Sequence, residues 1–351
     1  MPSTRNCASD KGGRMPLLEV EGLCVDFRTA RGPVRVLDEV GFHLEAGEVL
    51  GIVGESGCGK SMTSLSLLQL VPAPGRISGG AIRYGGQDLL ALGPARMRDV
   101  RGRDIAMIFQ EPMTALNPVF TVGQQIVETI VRHRGMGPRA ARAEAVALLD
   151  AVRIPEPARR VDQYAHELSG GMRQRAMIAM ALAGQPKVLI ADEPTTALDV
   201  TVQAQIFDLL RDLRRQLGTA IILITHNMGA IAELADRVMV MYAGRKIEEG
   251  PVDTVLAHPS HPYTRGLLDC VLHVDAARAV HDNAPAPLPE IPGVVPALDQ
   301  LGAGCAFAPR CTRAASRCGS LPPLFDNGGH LAACWLRESA NAAPAAMIGE
   351  G

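Results

Sequence analysis

The sequence predicts an α/β fold built on a parallel sheet, and two observations carry that expectation. Short apolar runs alternate with helical periodicities along most of the chain, the pattern of strands joined by crossover helices. Hydrophobic residues make up 47% of the sequence but aromatics only 3%, so the interior must be assembled mainly from Ala, Val, Leu, Ile and Met, which suits helices packed on a parallel sheet. At 351 residues the chain exceeds the usual single-domain size, and one large domain with a smaller appendage is expected.

Taken in order, LLEVEGLCVDF through VRVLDEVGFHL alternates apolar and polar residues as half-buried strands do. EVLGIVG is a buried strand, and after Lys60 the stretch SMTSLSLLQLV is helical until the turn-rich PAPGRISGG. RDIAMIFQ and KVLIADE are further apolar runs ending in polar residues. In TVQAQIFDLLRDLRRQLG, Val202, Ile206, Leu209, Leu213 and Leu217 share one helical face, Gly218 supplies a stop, and AIILITH is another buried strand. Pro285, Pro287, Pro289, Pro292 and Pro296 then mark a linker or extended arm almost free of charge. A segment holding Cys305, Cys311, Cys318 and Cys334 follows, and ESANAAPAAMIGEG is expected as a disordered tail.

With 35 basic and 37 acidic side chains the net charge is -2, which offers no bulk attraction to nucleic acid or anionic lipid. The opening MPSTRNCASDKGGRM lacks the apolar stretch of a secretory signal, and Met15 is an alternative start. No apolar run approaches the ~18 residues that span a bilayer. The expectation is a soluble, cytosolic chain whose eight cysteines stay reduced.

Three motifs carry chemistry. Gly54-Glu55-Ser56-Gly57-Cys58-Gly59-Lys60-Ser61 fits the phosphate-binding loop G-x-x-x-x-G-K-[ST], between a strand and a helix. Its glycines let backbone N–H groups converge on phosphate oxygens at a helix N-terminus, Lys60 reaches the β and γ phosphates, and Ser61 binds Mg²⁺. Cys58 is a small filler at a variable position of the loop. In VLIADE, Asp192 can hold the Mg²⁺ shell and Glu193 can orient or deprotonate an attacking water. In LSGGMRQR, Ser169 caps a helix whose first turn carries Gly170 and Gly171 with open N–H groups, a second phosphate-binding site.

LSGGMRQR resembles the signature sequence of ATP-binding cassette ATPases, with GESGCGKS and VLIADE as the two Walker motifs. The resemblance covers roughly residues 17–270 and implies a P-loop NTPase of the ATP-binding cassette type: a RecA-like core sheet, an antiparallel β subdomain and a helical signature subdomain, here with a small Cys-rich extension. It implies Gln110 as the Q-loop glutamine and a further Mg²⁺ ligand, Ala197-Leu198-Asp199 as the D-loop, His226 as the switch histidine and Phe27 as the aromatic on which adenine stacks. ATP would thus be bound by Phe27, Gly54, Ser56, Gly57, Cys58, Gly59, Lys60, Ser61, Met62, Gln110 and Asp192 of one chain and by Ser169, Gly170, Gly171 and Asp199 of another. In this family two cassettes join head to tail, and hydrolysis removes the γ-phosphate that holds them together.

A narrower resemblance rests on EPMTALNP, HPYTRGLL, IPGVVPAL and the cysteine segment, which together are similar to ATP-binding subunits of oligopeptide and dipeptide importers. It implies two transmembrane permease subunits, a second and different cassette, an extracytoplasmic peptide-binding protein reached through the permease, no nucleic acid, and a peripheral position on the cytoplasmic face of the inner membrane. The alternatives are a cassette ATPase for nickel or another small solute, and a non-transport one. The expected organisation is a leader at 1–16, the ATPase domain at 17–272, a Pro-rich arm at 273–303, the Cys-rich segment at 304–336 and a tail at 337–351.

The four late cysteines are open to several readings by spacing alone. Their intervals suit neither paired zinc knuckles nor a ferredoxin run. Resemblance points to a [4Fe–4S] cluster on Cys305, Cys311, Cys318 and Cys334, with Zn²⁺ as the alternative, and to a structural role, since hydrolysis needs no electron. His330 is expected to hydrogen-bond locally rather than to ligate.

Overall fold

The computed structural model describes residues 15–111, 115–195, 200–270 and 290–341. Two antiparallel strands open the chain, β1 (Leu18–Thr29) and β2 (Gly32–Leu44), followed by the short buried β3 (Val49–Val53) and helix α1 (Lys60–Leu67). Next come β4 (Gly75–Tyr84), β5 (Gln87–Asp88), α2 (Pro94–Val100) and β6 (Ile105–Ile108). A helical region follows with α3 (Val122–Arg134), α4 (Pro138–Ala151), α5 (Pro157–Arg160) and α6 (Gly170–Leu182). The chain then alternates strictly: β7 (Val188–Asp192), α7 (Val200–Leu217), β8 (Ala220–Ile224), α8 (Met228–Leu234), β9 (Arg237–Tyr242). It continues through β10 (Arg245–Pro251), α9 (Val252–Ala257), α10 (Pro262–Asp269), β11 (Phe325–Asp326), β12 (Leu331–Ala332) and α11 (Leu336–Asn341).

Two sheets organise these elements. A four-stranded antiparallel sheet has the order β2-β1-β4-β5, and an eight-stranded sheet runs β11-β12-β10-β9-β3-β8-β7-β6. Within the larger sheet β9, β3, β8, β7 and β6 are mutually parallel. Every residue of β3, β6, β7 and β8 is buried, as expected of strands covered on both faces. Ile206, Phe207, Leu209 and Leu210 of α7 pack into one core, while Leu50, Ile52, Ile190 and Ile222 join β1, β2 and α1 in the other. Leu217, at the far end of the α7 stripe, is exposed. Gly218 ends α7 with φ +63°.

The C-terminal extension is joined to the larger sheet: β12 pairs with β10 through Glu248↔Ala332 and Glu249↔Leu331, and β11 pairs with β12, so the extension forms the edge of that sheet. The part of the Pro-rich stretch that is described packs too: Ile291, Val295, Leu298 and Leu301 lie against the larger core. The remainder of that stretch, with Pro285, Pro287 and Pro289, lies outside the described residues. Helix α11 begins at the end of the Cys-rich segment and runs into the stretch expected as a tail, where Arg337 donates to His330 Nδ1 at 3.1 Å and Glu338 pairs with Arg317. Among the described residues no helix is long and apolar enough to cross a membrane.

Candidate functional site

The loop between β3 and α1 wraps its own lysine. Lys60 is buried, and its Nζ donates to the carbonyls of Gly54 at 2.8 Å and Glu55 at 3.0 Å, with Cys58 Sγ at 3.7 Å. Gly54 cannot carry a side chain, since a Cβ there would meet Met241 O at 2.3 Å and Cys58 Sγ at 2.7 Å. Gly59 opens α1 at φ +104°, a conformation that side-chain-bearing residues rarely adopt. Cys58 is a buried filler as read from sequence, and burial pushes its thiol pKa up.

The carboxylates arrive on the neighbouring strands. Ser61 Oγ donates to Asp192 Oδ1 at 3.1 Å, joining α1 to the end of β7. Burial is the main reason that the Asp192 carboxyl sits above its usual pKa, and the adjacent Glu193 pushes the same way. The Lys60 charge and the Ser61 hydrogen bond only partly offset this, and a bound cation would favour the charged form. Glu193 follows at φ +48°, a left-handed conformation uncommon for a non-glycine residue and often found at working sites. Its Oε2 accepts from Gln110 Nε2 at 2.9 Å, and its Oε1 lies 3.6 Å from His226 Nδ1.

Lys60, Glu193 and His226 share one cavity of about 440 Å³, whose walls also include Gly54, Ser56 and Asn227. Asn227 caps α8 by accepting from the N–H groups of Gly229 and Ala230, at 2.9 and 3.2 Å. It was not foreseen, because a capping Asn looks alike at any helix start. Gly57, Ser61 and Met62 occupy the loop and the first turn of α1 beside this space. A larger cavity of about 680 Å³, between α10 and the cysteine segment, has no residue of the phosphate loop in its walls.

Other expected residues lie elsewhere. Phe27 is half-buried on β1 and packs against Gly75 rather than lining the phosphate-loop cavity. Ser169 caps α6 as expected, its Oγ accepting from the Met172 N–H at 3.3 Å, but Ser169 and Gly170 are exposed and Gly171 half-buried away from that cavity. Gln174 on the same helix donates to Pro194 O at 2.7 Å, tying α6 to the backbone just after Glu193. Asp199, with the rest of its motif, lies outside the described residues.

Cys305, Cys311, Cys318 and Cys334 all border a third, apolar cavity of about 140 Å³. None is in a disulfide. The Cys305 N–H donates to Cys318 O at 2.9 Å, and Arg317 lies over the Trp335 ring at 4.5 Å, closing the segment on itself. Burial raises the pKa of the Cys305 and Cys334 thiols, and the neighbouring cysteines add to it. Among the described residues no three His, Cys, Asp or Glu side chains are placed to hold a single metal ion. His330 bonds locally, its Nε2 lying 2.7 Å from Glu248 Oε1.

A parallel sheet that brings a phosphate loop, a strand-end glutamate and a histidine to one cavity, with Asp192 bonded to Ser61 of the loop, Gln110 bonded to Glu193 and a glycine-opened helix in the same chain, defines a P-loop ATPase of the cassette class. Comparison with known proteins narrows this. The ABC transporter family model matches residues 37–196, and the model for the oligopeptide/dipeptide transporter C-terminal region matches residues 247–318. A putative peptide import ATP-binding protein of Brucella abortus (strain 2308) is 52% identical over 320 residues, 91% of this chain and 94% of the relative. The oligopeptide transport ATP-binding protein OppD of Haemophilus influenzae is 49% identical over 322 residues, 92% of this chain and 97% of the relative. Among solved structures, cbiO1 from Clostridium perfringens, part of the ABC transporter complex cbiONQ, is 28% identical with a TM-score of 0.58 over 69% of this chain and 91% of that one. The fold is also that of the ATP-binding cassette MJ0796, described as dimeric in a post-hydrolysis state with ADP and Pi, at 24% identity and a TM-score of 0.61 over 67% of this chain and 98% of that one. The chain belongs to the ATP-hydrolysing subunits of ABC transporters, in the oligopeptide/dipeptide importer branch.

Proposed function

We propose that this chain powers the import of oligopeptides or dipeptides, working on the cytoplasmic face of the inner membrane beneath two permease subunits, beside a second and different cassette, with a peptide-binding protein on the far side. The observation that carries the reading is the convergence of Lys60, Glu193 and His226 on one cavity, in a chain with the C-terminal region of peptide transporters. Relatives at about half identity bear peptide-import names, which favours peptides over nickel or another small solute. A cassette acting on nucleic acid draws no support from a net charge of -2.

Lys60 leaves the Gly54 and Glu55 carbonyls to meet the β and γ phosphates. Ser61, Asp192 and Gln110 would hold Mg²⁺, which when bound neutralises charge on the phosphate oxygens. Glu193 orients water in line with the γ-phosphate and accepts its proton, while Gln110 and His226 hold the carboxylate in place. Phe27 stacks on adenine. Ser169, Gly170, Gly171 and Asp199 complete the site of the neighbouring cassette, a role supported by the exposure of Ser169 and Gly170 at the open start of α6.

For the cysteine segment the reading is a [4Fe–4S] cluster on Cys305, Cys311, Cys318 and Cys334, with Zn²⁺ as the alternative. When bound, such a group supplies four covalent anchors to a segment short of apolar residues. The test of the whole reading is reconstitution with the permeases in lipid vesicles: peptide should accumulate only with MgATP, and nickel accumulation without peptide uptake would overturn it.

A further inference from the structure

The phosphate loop is gripped from behind by the C-terminal third of the chain. Tyr263 of α10 accepts the Glu55 N–H at its hydroxyl, at 2.7 Å and 208 residues away in sequence. Arg310, in the turn between Cys305 and Cys311, forks onto the Glu55 carboxylate: Nη1 donates to Oε2 at 2.6 Å and Nη2 to Oε1 at 3.0 Å. The other donors are also used, Nε by Pro292 O at 2.9 Å, Nη2 by Ile291 O at 3.2 Å and Nη1 by Tyr242 Oη at 3.4 Å. A guanidinium has five N–H bonds in a fixed plane, so this one has a single orientation available. Its side chain is 4% exposed, against 27% for Glu55.

We infer that Arg310 is a positioning residue for the phosphate loop: it captures and neutralises the Glu55 carboxylate, a negative charge carried by the wall of the cavity that the phosphates of ATP enter. Glu55 lines that cavity beside Lys60, and its carbonyl accepts from Lys60 Nζ at 3.0 Å. A carboxylate released from Arg310 is free to turn toward the phosphates and compete for Lys60. Two like charges ~8 Å apart at an effective dielectric constant of ~20 repel enough to weaken binding by about tenfold or more. The pairing also makes the phosphate loop answerable to the cysteine segment, because Arg310 stands in its middle. This role rests on the phosphate-loop reading given above.

The test uses the full chain and a fluorescent MgATP titration. Arg310→Met, which keeps length and apolar contact, is expected to bind MgATP about tenfold more weakly, and adding Glu55→Gln should restore affinity to within about threefold of the parent, since no carboxylate is left to repel phosphate. Arg310→Met binding within about twofold of the parent overturns the inference. So does a double variant that binds as poorly as Arg310→Met, which would mark Arg310 as a staple of the C-terminal segment alone. If Arg310→Met does not fold, Arg310→Lys replaces it: the lost fork should weaken MgATP by about threefold, and parental affinity overturns the idea. A parent chain that binds no MgATP would instead overturn the phosphate-loop reading itself.

Discussion

Gln110 Nε2 donates to Glu193 Oε2 at 2.9 Å, joining the end of β6 to the end of β7 across 83 residues of sequence. With His226 Nδ1 3.6 Å from the other oxygen, the carboxylate is held between two groups and aimed into the phosphate-loop cavity. Replacement by an isosteric amide keeps the shape and removes the base. Glu193→Gln is expected to leave MgATP binding intact and to lower steady-state hydrolysis in the assembled transporter by at least about a hundredfold. The bound cassette pair should persist on a sizing column. Hydrolysis surviving within about tenfold, equivalent to ~1.4 kcal/mol of barrier, would show that another group activates water.

Ser169 presents the opposite case, a capping residue exposed at the start of α6 and absent from the walls of its own chain's phosphate-loop cavity. Ser169→Arg places bulk and charge where a neighbour's γ-phosphate is to dock. The isolated variant should bind MgATP within about twofold of the parent, while hydrolysis at the composite site in the assembled transporter is blocked. An equal loss of affinity in the isolated chain would assign α6 to its own site and end the head-to-tail reading.

Phe120 lies at the surface, 48% exposed just before the Thr121 cap of α3, where a groove for a permease helix would need it. Phe120→Asp should therefore change stability by less than about 0.5 kcal/mol. Peptide uptake per ATP hydrolysed should fall. A drop in melting temperature in step with the uptake loss would return Phe120 to the core.

How much of this was legible in the sequence depends on how far each signal had to travel. β3, the loop at residues 54–61 and α1 were readable because strand, glycines and helix follow one another directly. The meeting of Ser61 with Asp192 was readable only through motif order, since nothing local says that β3 and β7 flank β8 in one parallel sheet. β11 and β12 were not readable at all: each has two residues, too few for an alternation, and their place is set by pairing with β10. Arg310 was missed for the same reason. One arginine among several in the cysteine segment carries no mark, and its partner Glu55 sits at a variable position of the phosphate loop 255 residues earlier.

Glu248 anchors the extension and sets an acid limit on it. The side chain is fully buried on β10, where its Oε1 accepts from the Ser260 N–H at 2.6 Å and lies 2.7 Å from His330 Nε2, and its Oε2 accepts from the His261 N–H at 2.9 Å. Burial alone would raise its pKa, but the hydrogen bonds from His330 and the two N–H groups outweigh it and hold the carboxyl below its ordinary value. A depressed carboxyl pKa contributes stability above the unfolded value, and that stability is lost as pH falls through the folded one. His261, held down to about 4 by burial, acts in the same direction, costing stability as pH drops from its ordinary 6.5. Melting temperature should thus fall between pH 6.5 and 4 and further below. Glu248→Gln should lose about 3 kcal/mol at neutral pH and flatten only the lowest part of the curve. An unchanged acid limb in the variant would remove Glu248 from this account.

Three outcomes separate the readings of the cysteine segment: an iron–sulfur cluster, a zinc ion or plain thiols. Cys305, Cys311, Cys318 and Cys334 ring one apolar cavity of about 140 Å³ without a disulfide, and no three of them are placed for a single ion. On the cluster reading, protein purified without oxygen should be brown and carry about four irons per chain. Cys311→Ser should bleach it and lower the melting temperature. Because Arg310 directly precedes Cys311 and holds Glu55 of the phosphate loop, the bleached protein should also bind MgATP more weakly, although no electron takes part in hydrolysis. Colourless parent protein with one zinc would replace the cluster but keep the anchor, and metal-free protein with parental stability would leave four plain thiols around an empty space.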